Sequence, residues 1–174
     1  MIKGMPMSWL VIDGYNIINS WPEFAHLRRE DMEAARVKCV EILREFTPLV
    51  WDRITIVFDA YRSSGKGSLR EEARGLEVVF TAEGQTADVY IERLVSVAVS
   101  HGQDVEVASS DYLEQRLVLW KGGRRIPAQE LRFRLQEVRS SLKKQGCLDI
   151  STRSVLDERL SEHVKQTLEN WRRR

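Results

Sequence analysis

Four short runs rich in β-branched and aromatic residues, at positions 9–12, 54–58, 76–80 and 105–108, recur along the chain with longer segments of helical period between them. Alternation of this kind is the signature of βα units and a mostly parallel sheet. The segment 31–46 places Met32, Ala35, Cys39, Leu43 and Phe46 on one helical face and is ended by Pro48. Thr86 is placed to cap a helix that runs to about His101, with Ile91, Leu94, Val95 and Ala98 inward. A further helix is expected over 112–120, stopped by Gly122-Gly123, and Pro127 suits the first turn of one that reaches about Lys144. Leu156, Leu160, Val164, Leu168 and Trp171 then repeat at near-heptad spacing in a last amphipathic helix before Arg172-Arg173-Arg174. The stretch 62–68 is polar, basic and glycine-rich, and is the one linker-like segment.

At 174 residues and 43% hydrophobic content the chain supports one core of ordinary size. The expected layout is a domain over 1–146 with a C-terminal helical extension over 147–174. The formal charge of +1 is uninformative, but its distribution is not. From Lys121 onward 14 basic residues face 7 acidic ones, whereas the part before holds 13 basic and 19 acidic. An acidic body with a basic tail suits an anionic ligand at the tail side and a cation answering the acids. Cys39 and Cys147 have neither zinc spacing nor the look of a disulfide framework, which fits a reducing compartment. The first residues lack the apolar core of a signal peptide, and no stretch approaches the roughly 20 apolar residues of a membrane span. A soluble, cytoplasmic protein with no membrane partner is expected, with a monomer favoured; Met5 and Met7 are alternative starts.

In a parallel α/β sheet the loops leaving the C-terminal ends of the strands bind ligands. The first strand delivers Asp13-Gly14-Tyr15-Asn16 to that edge, the second Asp59 and the fourth Ser109-Ser110-Asp111; the third leads to Thr86-Ala87-Asp88. One such aspartate reads as a helix cap or turn residue. Four at equivalent places repel one another and cost stability unless a cation sits among them. An oxygen-only set selects Mg²⁺ or Mn²⁺, ions that assist phosphodiester hydrolysis. On this reading Asp13 and Asp88 are the principal ligands and Asp111 completes the site. Asp59 is either a further ligand or a carboxylate that pairs with Arg62 or caps the loop. Asn16 is placed to bond the scissile phosphate or a water on the metal, and Gly14 lets the backbone turn beside the ligand. RNA contacts are expected from Arg62, Lys66 and Arg70, and from Lys121, Arg124 and Arg125. Tyr15, Tyr61 and Tyr112 flank the acidic edge and could stack on bases, with core packing the competing role for each.

At these residues the chain resembles the YacP-type NYN domains, relatives of PIN nucleases. The likeness rests on Val11-Ile-Asp-Gly-Tyr-Asn-Ile-Ile18 with Trp21-Pro22, Asp31-Met-Glu-Ala-Ala-Arg36, Val57-Phe-Asp-Ala60 and Val78-Val-Phe-Thr81. It continues in Thr86-Ala-Asp88 with Ile91-Glu92 and in Ala108-Ser-Ser-Asp-Tyr112, so that it covers about residues 9–142. The resemblance implies a PIN-like three-layer α/β fold and a metal-dependent endoribonuclease associated with the ribosome, cutting mRNA in the decoding A site. It carries the acidic motif onto Asp13, Asp88 and Asp111, with Asn16 as polar companion. The chain departs from the family at Val89, where the family has an acid, with Glu92 the one candidate to replace the charge, and in a longer tail after Gly146.

Other readings fit less well. Ser64-Gly-Lys-Gly-Ser68 lacks the glycine of a Walker loop where Ala60 stands, and does not join a strand to a helix. A phosphatase with Asp13 as nucleophile wants an acid where Tyr15 sits, and a receiver domain wants a late-strand lysine that is missing. His26, His101 and His163 have no partners at metal or triad spacing. The main alternative is a catalytically silent RNA- or ribosome-binding module on the same fold. A partner-binding stripe on the last helix is compatible with either.

Overall fold

The computed structural model describes residues 8–47, 49–59, 69–73, 75–110 and 122–144. Six strands form one sheet: β1 (Ser8–Asp13), β2 (Arg53–Phe58), β3 (Leu69–Ala73), β4 (Leu76–Phe80), β5 (Asp104–Ala108) and β6 (Arg124–Ile126). Their spatial order is β3-β4-β2-β1-β5-β6, with every pairing parallel except that of β3 with β4. The helices are α1 (Gly14–Ser20), α2 (Leu27–Glu30), α3 (Met32–Arg44), α4 (Ala87–Ser100) and α5 (Ala128–Lys144), with a 3₁₀ turn over Pro22–Phe24.

The central strands are apolar on both faces because both are covered, as parallel sheets require. On one face Trp9, Val11, Val57, Val105 and Val107 pack against Ala87, Ile91, Val95 and Ala98 of α4. The alternate positions Leu10, Ile12, Ile54, Ile56 and Phe58 are fully buried on the opposite face. There Phe58 meets Tyr15 of α1 edge-on and stacks on Phe80, over which Arg36 of α3 lies. The start of α5 lies on this face too: the Trp21 indole donates to the Ala128 carbonyl at 2.7 Å, and Arg134 reaches Glu106 at 3.2 Å. The result is the expected three-layer α/β arrangement.

Caps fall where the side chains dictate. Asp31 opens α3 by accepting from the amides of Glu33 and Ala34, and Thr86 opens α4 by accepting from the amide of Val89. Ala35, Cys39 and Leu43 are the buried face of α3, and Ile91, Val95 and Ala98 that of α4, while Leu94 is only partly covered.

Three elements exceed the expectation. Asp13-Gly-Tyr-Asn16 begins a helix rather than a turn. Leu69–Ala73, a polar LREEA segment without strand character of its own, forms an antiparallel edge strand against β4. Gly75, in that connection, has φ 82°, and a side chain there would meet the Asp52 carbonyl at 2.6 Å. Arg124–Ile126 adds a three-residue parallel edge to β5. Contacts divide the chain into two units, Met1–Leu135 and Gln136–Arg174, so the boundary falls within α5. The helices expected over 112–120 and after 151, and the 62–68 linker, lie outside the described residues. Among the described residues no helix is long and apolar enough to cross a membrane.

Candidate active site at the carboxylate edge of the sheet

The chain builds outward from β1 through β2 to β4 and β3, then returns to the other side of β1 with β5 and β6. Such a reversal opens a crevice at the C-terminal ends of the two strands it separates, here β1 and β5. Asp13 is the last residue of β1, and Ser109-Ser110 follow β5, so both stand at that crevice. Asp59 follows β2, the strand beside β1, and Asp88 lies in the first turn of α4.

Asp13 caps α1, its Oδ1 accepting from the Asn16 amide at 3.0 Å. Burial pushes its carboxyl up from 3.8 to about 6, and the charges of Asp88 and then Asp59 push the same way. The amides of Asn16 and Tyr15 pull against them. Three carboxyl groups thus share one electrostatic field. Asp88 itself is exposed and gains from the positive end of α4. Among the described residues no three His, Cys, Asp or Glu side chains are grouped closely enough to hold a metal by themselves. Asp111 lies outside the described residues. The fit for a hard cation rests on donor chemistry: all the groups are oxygens, and the buried Asp13 carboxylate lies in a field that a cation would relieve.

Gly14 follows Asp13 because nothing larger fits. A Cβ there would stand 2.2 Å from the Phe58 ring, so the glycine admits α1 to the sheet and lets Asp13 cap it. The side chain of Asn16 is engaged inside the protein. Its Oδ1 accepts from the Ser110 amide at 2.9 Å, from the Ser110 hydroxyl, and from the Ser20 hydroxyl at 3.4 Å, while its Nδ2 donates to Ser109 Oγ at 3.3 Å. Asn16 therefore ties α1 to the loop after β5 across the crevice. Ser20 and Ser110 complete this clamp with an Oγ–Oγ contact of 2.6 Å.

The nucleic-acid contacts expected from sequence are scattered. Tyr15 is a core residue, 6% exposed, with its ring on Phe58 and its hydroxyl accepting from Arg36 at 2.8 Å, so it offers no face to a base. Arg124 is exposed but turns back to Asp104, at the beginning of β5 and away from the carboxylate edge, at 2.9 Å. Arg125 is also exposed, on the same edge strand. Arg70 lies on β3, at the opposite edge of the sheet. Five interstrand steps of about 4.8 Å put roughly 24 Å between those two edges. Arg62, Lys66 and Lys121, like Tyr61 and Tyr112, lie outside the described residues. Val89 is half exposed, and Glu92 follows Asp88 by one helical turn on α4. Sequence reasoning missed Ser20 and Arg36. The one available signal for the latter was a long cation beside the apolar face of α3.

An open, mostly parallel sheet with helices on both faces and an aspartate at its switch point defines a three-layer α/β protein with an acidic edge. The chain belongs to the YacP-like NYN domain family, which matches residues 10–173 and so takes in the tail beyond the quoted motifs. It is 32% identical over 167 residues to YacP of Bacillus subtilis (strain 168), covering 96% of this chain and 98% of that protein. A crystal structure of Rae1 (YacP) from Bacillus subtilis superimposes with a TM-score of 0.67 at 32% identity, over 94% of each chain. A single-substitution variant of that protein gives a TM-score of 0.68, over 94% of this chain and 99% of the other. NYN domains are typically nucleases, and membership suggests a nuclease or RNA-related function.

Proposed function

We propose that this protein is a metal-dependent endoribonuclease. The observation that carries the reading is the buried Asp13 carboxyl at the C-terminal end of β1, on which the charges of Asp88 and Asp59, from two other segments, act. A protein that only bound RNA would gain nothing from carboxylates facing phosphates. Asp13 and Asp88, with Asp111, would hold Mg²⁺ or Mn²⁺, and Asp59 is a fourth candidate. When bound, such an ion supplies neutralisation of phosphoryl charge and activation of water. The chain's own residues hold the geometry: Asn16 clamps α1 to the Ser109-Ser110 loop, Gly14 brings α1 onto Phe58, and α4 presents Asp88. The family resemblance supports mRNA in the ribosomal A site as the substrate, in the cytoplasm, with the ribosome presenting the strand.

A catalytically silent RNA- or ribosome-binding module is the second reading, favoured by the exposed Val89 where the family carries an acid. One experiment separates them. Wild type and Asp88→Asn are incubated with a defined mRNA, free and in stalled ribosomes, in Mg²⁺, Mn²⁺ or EDTA, and new ends are mapped. Metal-dependent cuts by the wild type alone support the nuclease, and their restriction to the A site adds the ribosome. Absence of cuts under every condition, by a folded protein that still binds ribosomes, overturns it in favour of the silent module.

A further inference from the structure

Among the described residues Arg36 is an arginine without an acid. It sits on α3, at the ends of the strands that carry the carboxylates: its Nη1 donates to the Tyr15 hydroxyl at 2.8 Å, and its guanidinium carbon lies 6.0 Å from the centre of the Phe80 ring. Tyr15 is two residues beyond Asp13, Phe80 ends β4, and Phe58, which touches both rings, immediately precedes Asp59. Among the described residues no carboxylate pairs with Arg36. The other arginines of known pairing here behave differently: Arg53, Arg124, Arg132 and Arg134 each meet an acid.

The atoms of Arg36 divide by role. Nη1 is taken by Tyr15, and Nε is buried with no hydrogen-bond partner. Nη2 has no hydrogen-bond partner among the described residues and is not among the buried unpartnered atoms. A guanidinium confined by an aromatic ring and a tyrosine hydroxyl has lost most of its freedom before any ligand arrives, which lowers the cost of binding one. A desolvated Nε–H is costly when it has no acceptor. A phosphate oxygen beside Nη2, with a small rotation of the guanidinium, would satisfy both nitrogens of that side in the forked geometry that arginine and phosphate share.

We infer that Arg36 holds a backbone phosphate of the RNA strand next to the carboxylate edge. The inference rests on the endoribonuclease reading and adds to it a positioning residue for the strand. Phosphate contacts set register and orientation without reading sequence.

The test uses the full chain and a short fluorescein-labelled single-stranded RNA. Affinity is measured by anisotropy in EDTA across a salt series for wild type, Arg36→Gln and Arg36→Lys; cleavage is measured separately in Mg²⁺ or Mn²⁺. Arg36→Gln is expected to weaken binding about tenfold. The slope of log affinity against log salt should fall by about 0.7, one phosphate contact on a single strand. Arg36→Lys should keep the slope and recover part of the affinity, which a purely structural role would not predict. In cleavage, the loss should appear in KM more than in kcat. A second reading uses only the wild type: the Arg36 Nε–H resonance, assigned by its loss in Arg36→Lys, should shift on adding the RNA. This decides the matter even where Arg36→Gln does not fold. Unchanged affinity and slope in a folded Arg36→Gln, or an Nε–H resonance indifferent to bound RNA, would overturn the inference while leaving the nuclease standing if the wild type cuts. A wild type that neither binds nor cuts RNA, free or on ribosomes, would overturn both.

Discussion

At the scale of single residues the site is governed by one buried carboxyl and the room around it. Asp13 titrates near 3.8 when unfolded and near 6 when folded, so the folded state holds the proton more tightly. Stability is therefore lost as pH rises through that window, with a penalty on the order of 3 kcal/mol at most above it. Asp13→Asn keeps a capping side chain and removes the charge. In metal-free buffer its urea unfolding is expected to match the wild type near pH 4 and to exceed it at pH 8; parallel pH profiles would disprove the assignment. Asp88→Asn should abolish cleavage, leave the fold intact, and lower the Asp13 pKa, read from its side-chain carboxyl carbon by NMR. An unchanged Asp13 titration would mean that the two acids do not share a field. Gly14→Ala sets a helix-propensity gain of about 1 kcal/mol against a clash with a ring already packed by Tyr15 and Phe80. Overpacking costs about 1–3 kcal/mol and should win, giving a lower urea midpoint.

Elements were legible where local chemistry and burial agreed. The Thr86 and Asp31 caps, the apolar faces of α3 and α4 and the four central strands all follow from residue pattern, because each is specified within a turn or two of chain. β3 and β6 were not, since LREEA and RRI become strands only by pairing with neighbours already in the sheet. A buried polar network fastens the other end of the central strands. Glu77 of β4, 2% exposed, accepts from Arg53 at 2.7 Å and Thr55 at 3.0 Å on β2; Thr55 in turn accepts from the Trp9 indole of β1 at 2.9 Å. Arg53 lies 4.1 Å from the centre of that indole. Glu77→Ala would leave a half-buried guanidinium and a buried hydroxyl short of an acceptor, at a cost of about 2–3 kcal/mol in urea unfolding. A loss below about 0.5 kcal/mol would mark the network as dispensable.

At the scale of the whole molecule, sheet order decides which charges can act together. Arg124 belongs to the edge strand β6 and spends its charge on Asp104, at the far end of β5 from Asp13. Arg124→Gln is thus expected to leave RNA affinity within about twofold of wild type, because an exposed ion pair contributes little and this one points away from the site. A tenfold loss, about 1.4 kcal/mol, would bring the RNA path around that edge. The sequence by itself determined the βα alternation, the family motifs and the candidacy of Asp13, Asp59 and Asp88, because strand ends and helix starts are written in local patterns. Only the tertiary structure decided that Tyr15 packs inward, that Asn16 clamps two segments, that Arg124 pairs with Asp104 and that Arg36 has no acid partner among the described residues. Those facts depend on contacts between residues up to 94 positions apart, which no local pattern encodes.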